Sequence, residues 1–331
     1  MGTVSNVLNG IPTVTEKNRQ KVLAAIQQLN FSPNYAARTL KTRRSRCIGL
    51  IIPDINNPFY SEFARGVEDS VQAMGYNLFL CNSDRNAAKE REYMDALLER
   101  MVDGLILFKT HMPVEEVVDF SSRFSIVLVD TGRDINIGCD IIKVDDYLGV
   151  QQALEYLWNF NHRRIAMIAG TKDSLSSLDR IRSYNDFFIS KKYSLPAPGI
   201  QHGHYDWHSG YDCANIILDR ENQPTAIIAA NDLMAIGAIK AIQERGLSVP
   251  DDISVIGYDD IDIASLCTPT LTTIRQPKYK MGEHSVRCLL NRIESRNSGQ
   301  DIAPIITTLK TEIIVRNSVS FCETNTQRRS V

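Results

Sequence analysis

From Cys47 onward, short apolar runs alternate with longer stretches in which apolar residues recur at helical spacing. The runs are IGLII (48–52), NLFLC (77–81), GLILF (104–108), SIVLV (125–129), RIAMIA (164–169), TAIIAA (225–230) and ISVIG (253–257). The amphipathic stretches fall near 60–74, 88–101, 148–160, 179–192, 209–220 and 233–245. Uninterrupted apolar runs of this length suit strands buried on both faces, as in a parallel sheet covered by helices. The rhythm therefore predicts βαβ units and an α/β class. So many strands exceed one comfortable doubly wound sheet, which points to two similar lobes.

The first 46 residues follow another pattern. Thr15 stands as a helix N-cap beside Glu16, and Val22, Ala25, Ile26 and Leu29 recur at helical spacing, predicting a helix over 15–29. A short helix over 3–9 would be stopped by Gly10 and Pro12, and another over 34–40 follows Pro33. Charge sets this segment apart. Residues 1–46 hold eight basic side chains and the single acid Glu16, so a net of +7 stands against −9 for the remainder. A basic head on an acidic body has the form of a phosphate-binding appendage, although charge alone leaves a solvated basic tail equally open.

Composition narrows the function classes. A chain of 331 residues, 43% hydrophobic and 23% charged, suits a globular protein of two or three domains. No apolar run reaches the roughly 18 residues of a membrane span. The segment MGTVSNVLNG lacks the blocks of a secretory signal, so a cytoplasmic site is expected. The seven cysteines form no CxxC pair and read as buried free thiols in a reducing compartment. His202, His204 and His208 have spacing that could suggest zinc, but no acid or cysteine completes the set. Phosphate-binding GxGxxG and GxxxxGK[ST] motifs are missing, as is a GxSxG elbow. No enzyme activity, cofactor or metal is expected.

In doubly wound sheets, ligands sit beyond the carboxyl ends of the strands. The polar loops to inspect are therefore 54–59 (DINNPF), 82–84 (NSD), 130–132 (DTG), 170–171 (GT), 231–232 (ND) and 258–260 (YDD). Their acids, amides and aromatics can hydrogen-bond hydroxyls and stack on a sugar face. Asn and Asp also cap helices, and one of Asn231 and Asp232 is expected to cap the helix that follows.

The segments TVSNVLNG (3–10), IGLIIP (48–53), NPFY (57–60), VDGL (102–105), ANDLMA (230–235) and PDDISVIGYD (250–259) together resemble the lactose/galactose-repressor family. LTTI (271–274) and Met281-Gly282 extend the likeness, which spans about residues 1–316. The resemblance implies a small all-α helix-turn-helix head at 1–31 and a hinge helix and linker at 32–46. It also implies a two-lobed, periplasmic-binding-protein-like core of two parallel-sheet Rossmann-like subdomains. One lobe would comprise 47–145 with 276–303 and the other 146–275 with 304–320, with three crossings near 145, 275 and 303 and a flexible tail at 321–331. The likeness begins within the recognition helix, so a truncated head is expected. A start assigned too late and a ligand-binding dimer that does not read DNA both remain open.

Carried over residue by residue, the resemblance implies DNA contacts from Thr3, Ser5 and Asn6 in the head. Asn34, Ala37 and Leu40 would act in the hinge helix, with Leu40 wedged into the minor groove. Effector contacts would come from Phe59, Tyr60, Ser61, Asp130, Arg180, Tyr205, Asn231 and Asp259, with Trp207 as a substitute for Tyr205. Arg180 offers a planar fork for two adjacent hydroxyls or a carboxylate. The implied partners are operator DNA, a sugar or sugar-acid effector, and a second copy of the chain in a homodimer, with a tetramer as the alternative.

Overall fold

The computed structural model describes residues 2–8, 12–29, 44–131, 138–193, 199–300 and 302–323. Asn34, Ala37 and Leu40 lie outside the described residues. The chain divides into two compact units, Met1–Ser45 and Arg46–Val331.

In the smaller unit, α1 (Gly2–Leu8) packs on α2 (Glu16–Gln28). Thr15 holds the extended N-cap conformation, and its carbonyl receives the amides of Asn18 and Arg19, but its side chain makes no capping bond. Val7 is buried and Val22 and Ile26 are half-buried, whereas Ala25 and Leu29 are exposed. The apolar stripe read from the sequence is thus only partly covered. Thr3 is exposed and Asn6 half-buried on α1, which also carries Ser5.

The larger unit begins with β1 (Cys47–Ile52), α3 (Pro58–Ala73), β2 (Asn77–Asn82), α4 (Ala87–Glu99), β3 (Gly104–Phe108), α5 (Val114–Arg123), β4 (Ile126–Val129) and β5 (Asp140–Val144). It continues with α6 (Asp146–Asn159), β6 (Ile165–Ala169), α7 (Leu175–Ser190), β7 (Ile200–His202), α8 (Trp207–Leu218), β8 (Ala226–Ala229), α9 (Asp232–Glu244), β9 (Ser254–Asp259) and β10 (Thr272–Arg275). The long helix α10 (Lys278–Ser298) and the short strands β11 (Ile306–Leu309) and β12 (Glu312–Ile314) follow.

Two six-stranded sheets result, ordered β11-β5-β4-β3-β1-β2 and β12-β10-β9-β8-β6-β7. The pairings are parallel except for β10 with β12. The strands β3, β4, β6, β8 and β9 are buried along their whole length, as runs without polar alternation require. Among the described residues no helix is long and apolar enough to cross a membrane.

One boundary differs from expectation. Strand β11 pairs with β5 in the first sheet, Ile306 opposite Ile141, so the third crossing lies between Leu309 and Glu312 rather than near 303. The run ITTL is half-exposed and carries no lobe-specific pattern. Its place is fixed instead by Asp140, whose carboxylate accepts the Ile305 amide at 2.8 Å and a bidentate pair from Arg292 at 2.9 and 2.7 Å. Helix α10 returns to the first lobe and crosses α3 so closely that a Cβ on Gly66 would stand 2.2 Å from the Tyr279 carbonyl oxygen. Only glycine permits that approach.

Candidate ligand cleft between the lobes

Helices of the larger unit start just beyond strand ends, and in several such loops the polar residue immediately before the helix caps it. Oδ1 of Asn57 accepts the Phe59 amide at 3.0 Å, Asp145 that of Leu148 at 2.8 Å, Asp206 that of Ser209 at 2.8 Å and Asn231 that of Met234 at 3.0 Å. Each satisfies an amide that the first turn would otherwise leave unpaired. Asn231 is therefore the capping member of its pair. Its amide nitrogen also donates to the Tyr205 carbonyl at 2.9 Å, which fixes the loop after β7.

Above the carboxyl ends of β3 and β4 lies a cavity of about 300 Å³, closed from the other side by the loops after β6 and β7. Tyr60, Arg85, Lys109, His111, Asp130 and Thr131 line it from the first lobe, and Thr171, Asp173, Ser174 and Tyr205 from the second. Met112, Val114, Val117 and Leu175 make it apolar on one side. Tyr60 is aimed by an aromatic cluster: its ring meets Phe108 edge-on at 5.1 Å and Phe59 at 5.3 Å, while Phe63 meets Phe108 at 4.7 Å. Burial pushes the Tyr60 hydroxyl up to about 12, so it remains a proton donor at neutral pH.

The centre of the cavity wall is an ion pair. Nζ of Lys109 lies 3.1 Å from Oδ2 of Asp130 and 4.8 Å from the ring centroid of Tyr205. Burial disfavours the ammonium, but Asp130, Tyr205 and Tyr60 outweigh it and hold its pKa above the usual lysine range. The Tyr205 hydroxyl in turn meets Ser174 Oγ at 3.0 Å. Lys109, Asp130 and Tyr205 all have left-handed backbone, with φ of 54°, 56° and 66°. Such conformations cost on the order of 1 kcal/mol or more for a residue with a Cβ, and their convergence on one cavity marks a site the fold has been strained to build.

Behind this wall sits a second, deeper cage. Arg180, 3% exposed, donates through Nε to Asp146 at 2.8 Å, places Nη2 2.7 Å from the same oxygen, and donates through Nη1 to the Ala230 carbonyl. Its guanidinium lies 3.7 Å from the Tyr258 ring centroid. Burial opposes this charge, yet Asp146 holds the group well above its ordinary range. Asp259 accepts from Gln276 Nε2 at 2.6 Å, and its carbonyl accepts from Lys278 Nζ at 2.7 Å. Burial raises the Asp259 carboxyl to about 6 despite Arg180 and Lys278 nearby.

The residues expected from the sequence thus divide into three groups. Tyr60, Asp130 and Tyr205 line the cavity. Arg180, Asn231 and Asp259 form the buried layer beneath, their groups engaged with protein partners. Phe59 belongs to the aromatic cluster, and Ser61 faces a separate groove with Arg65 and Glu68. Trp207 stacks on His208 at 3.6 Å and does not line the cavity. Sequence reasoning missed Lys109, Arg85, His111 and Asp173. Lys109 was findable: it directly follows the strand GLILF, where the strand-end rule says to look.

Comparison with known proteins agrees with this architecture. Residues 1–34 match the profile of bacterial regulatory proteins of the lacI family, and residues 154–319 that of periplasmic binding protein-like domains. The HTH-type transcriptional repressor PurR of Haemophilus influenzae (strain PittEE) is 35% identical over 326 residues, covering 96% of this chain and 94% of its own length. The ribose operon repressor of Escherichia coli (strain K12) is 37% identical over 293 residues, 88% of each chain. The lac repressor dimer bound to operator and the anti-inducer ONPF superposes with a TM-score of 0.84 at 27% identity, covering 96% of this chain and 94% of that one.

Proposed function

Because the chain belongs to the lacI family of bacterial regulatory proteins, we propose that it is a cytoplasmic, homodimeric transcriptional repressor whose hold on operator DNA is set by a sugar or sugar-acid effector in the cleft. It is a regulator rather than an enzyme. The observation that carries the effector reading is the cavity shared by both lobes, in which Lys109 and Asp130 of one face Tyr205 of the other. A carboxylate accepts hydrogen bonds from two hydroxyls, an ammonium donates to a hydroxyl or ring oxygen, and a tyrosine face covers the C–H side of a sugar.

An effector touching both walls favours one closure angle over others, and it shifts the population only by its difference in affinity for them. The three crossings between lobes, after Val144, after Arg275 and between Leu309 and Glu312, are the joints about which the angle changes. DNA would be read by the basic head, through Thr3, Ser5 and Asn6, and by the segment holding Asn34, Ala37 and Leu40, where Leu40 would enter the minor groove.

The test is selection of duplexes from a random-sequence pool by the full chain, followed by binding titrations with and without candidate sugars. An effector should change operator affinity by roughly 5- to 150-fold, the usual range of allosteric coupling. A protein that selects a sequence but responds to no sugar or sugar acid would remove the effector reading. One that binds a sugar and selects no sequence would remove the repressor reading.

A further inference from the structure

We propose that the cleft selects a neutral polyol and rejects its acid and its phosphate ester, because among the described residues the basic side chains that line it are already matched by carboxylates. The inference rests on the effector reading above and decides between its two ligand classes.

The pairs follow one another around the wall. Arg85 lies 3.4 Å from Asp54 and Lys109 3.1 Å from Asp130. Nδ1 of His111 lies 2.9 Å from Oε1 of Glu90, a carboxylate 1% exposed whose other oxygen accepts the His111 amide and the Thr110 hydroxyl. In the layer beneath, Arg180 is paired with Asp146. Asp173 adds another carboxylate to the lining, held below its ordinary range by a hydrogen bond from Thr171. The balance of the wall is therefore neutral to negative.

A sugar hydroxyl can donate to Asp130 while accepting from Lys109, so the ion pair survives its arrival. A ligand carboxylate or phosphate cannot do this. It must draw Lys109 away from Asp130, which is 8% exposed and would then be a buried charge without a cation. Like-charge contact with Asp130 and Asp173 adds to that cost.

Calorimetric titration of the full chain with D-ribose, D-xylose, L-arabinose, D-glucose and D-galactose, each beside its aldonate and terminal phosphate ester, tests the claim. In the wild type the neutral member of the bound series should be favoured by roughly tenfold or more. Asp130→Asn frees Lys109 and should move that ratio toward the acid by about tenfold, with the left-handed backbone still tolerated by asparagine. Lys109→Asn alone should widen the preference for the neutral sugar, and the double variant should return it near the wild-type ratio. A simple loss of packing would lower all affinities together. An acid or phosphate preferred by the wild type, or a ratio that neither single variant moves, overturns the inference and leaves the effector reading standing. Binding of none of these ligands would instead bring down the sugar reading itself.

Discussion

The ammonium of Lys109, carried by the first lobe, stands 4.8 Å from the ring centroid of Tyr205, carried by the second. This contact spans the cavity, and its Asp130 partner keeps the lysine charged and in place. A desolvated cation over an aromatic face contributes on the order of 2 kcal/mol, so this contact helps to hold the two lobes together.

Replacing Tyr205 with Leu should therefore loosen the association of the two lobes. The variant removes the aromatic face and the hydroxyl that meets Ser174 at 3.0 Å. A loss of about 1–3 kcal/mol in urea denaturation is expected, with a larger radius of gyration in solution scattering. An unchanged radius would show that the contact does not hold the lobes together.

Arg180 is built into the fold more deeply than its place in the sequence suggests. Arg180→Ala leaves Asp146 buried without its cation and the Ala230 carbonyl without a donor. The expected cost is about 3–5 kcal/mol, so this substitution is a poor probe of ligand response alone. Arg180→Met combined with Asp146→Leu should recover most of that loss, because an apolar pair of similar volume needs no solvation. Equilibrium denaturation of the wild type, the single and the double variant decides it.

Much of this layout could be read from the chain before its structure. Continuous apolar runs located seven of the twelve strands in the two sheets, and the loop after SIVLV contained Asp130, whereas Tyr60 and Tyr205 were signalled only by the family resemblance. Residues whose role depends on a distant partner were not legible. Glu90 sits in the charged stretch AAKEREYMDALLE, where its burial under Thr110 and His111 leaves no local signal. Asp146 reads as an acid in a helix's first turn, a common stabilising position, and only folding reveals Arg180 against it. Helix α10 hides a buried stripe of Met281, Ser285, Leu289 and Ile293 among so many charges that its amphipathicity is diluted.

Asp259 gives the protein a pH dependence with a definite sign. Its folded-state carboxyl, near 6, lies above the 3.8 of an ordinary aspartate, so between these values the native state binds more protons than the unfolded chain. Stability must then fall as pH rises through that window and level off above it, by about 2–3 kcal/mol for this group. Asp232, raised chiefly by burial and next by Asp259, acts in the same direction, so the difference between wild type and Asp259→Asn isolates the effect. Denaturation free energies measured from pH 4.5 to 7.5 should show the wild type gaining on the variant as pH falls. A constant difference would place the proton elsewhere.

Gly170 tests the cavity wall without removing a polar group. A Cβ built there would stand 2.1 Å from the ring of Tyr205, and that ring cannot retreat freely because its hydroxyl meets Ser174 and its backbone carbonyl is held by Asn231. Gly170→Ala must therefore tilt the ring into the cavity or away from Lys109, at a cost of about 1–3 kcal/mol typical of overpacking. Either movement spoils the face that a sugar would cover, so effector affinity should fall by roughly tenfold or more while the sheet beneath, including β6, keeps its melting behaviour within a few degrees. The companion Gly170→Ala/Tyr205→Phe removes the hydroxyl that anchors the ring and should recover part of the lost affinity. If the single variant binds effector as tightly as the wild type, Tyr205 is not part of the contact surface, and the cavity wall must be redrawn around Thr171 and Asp173.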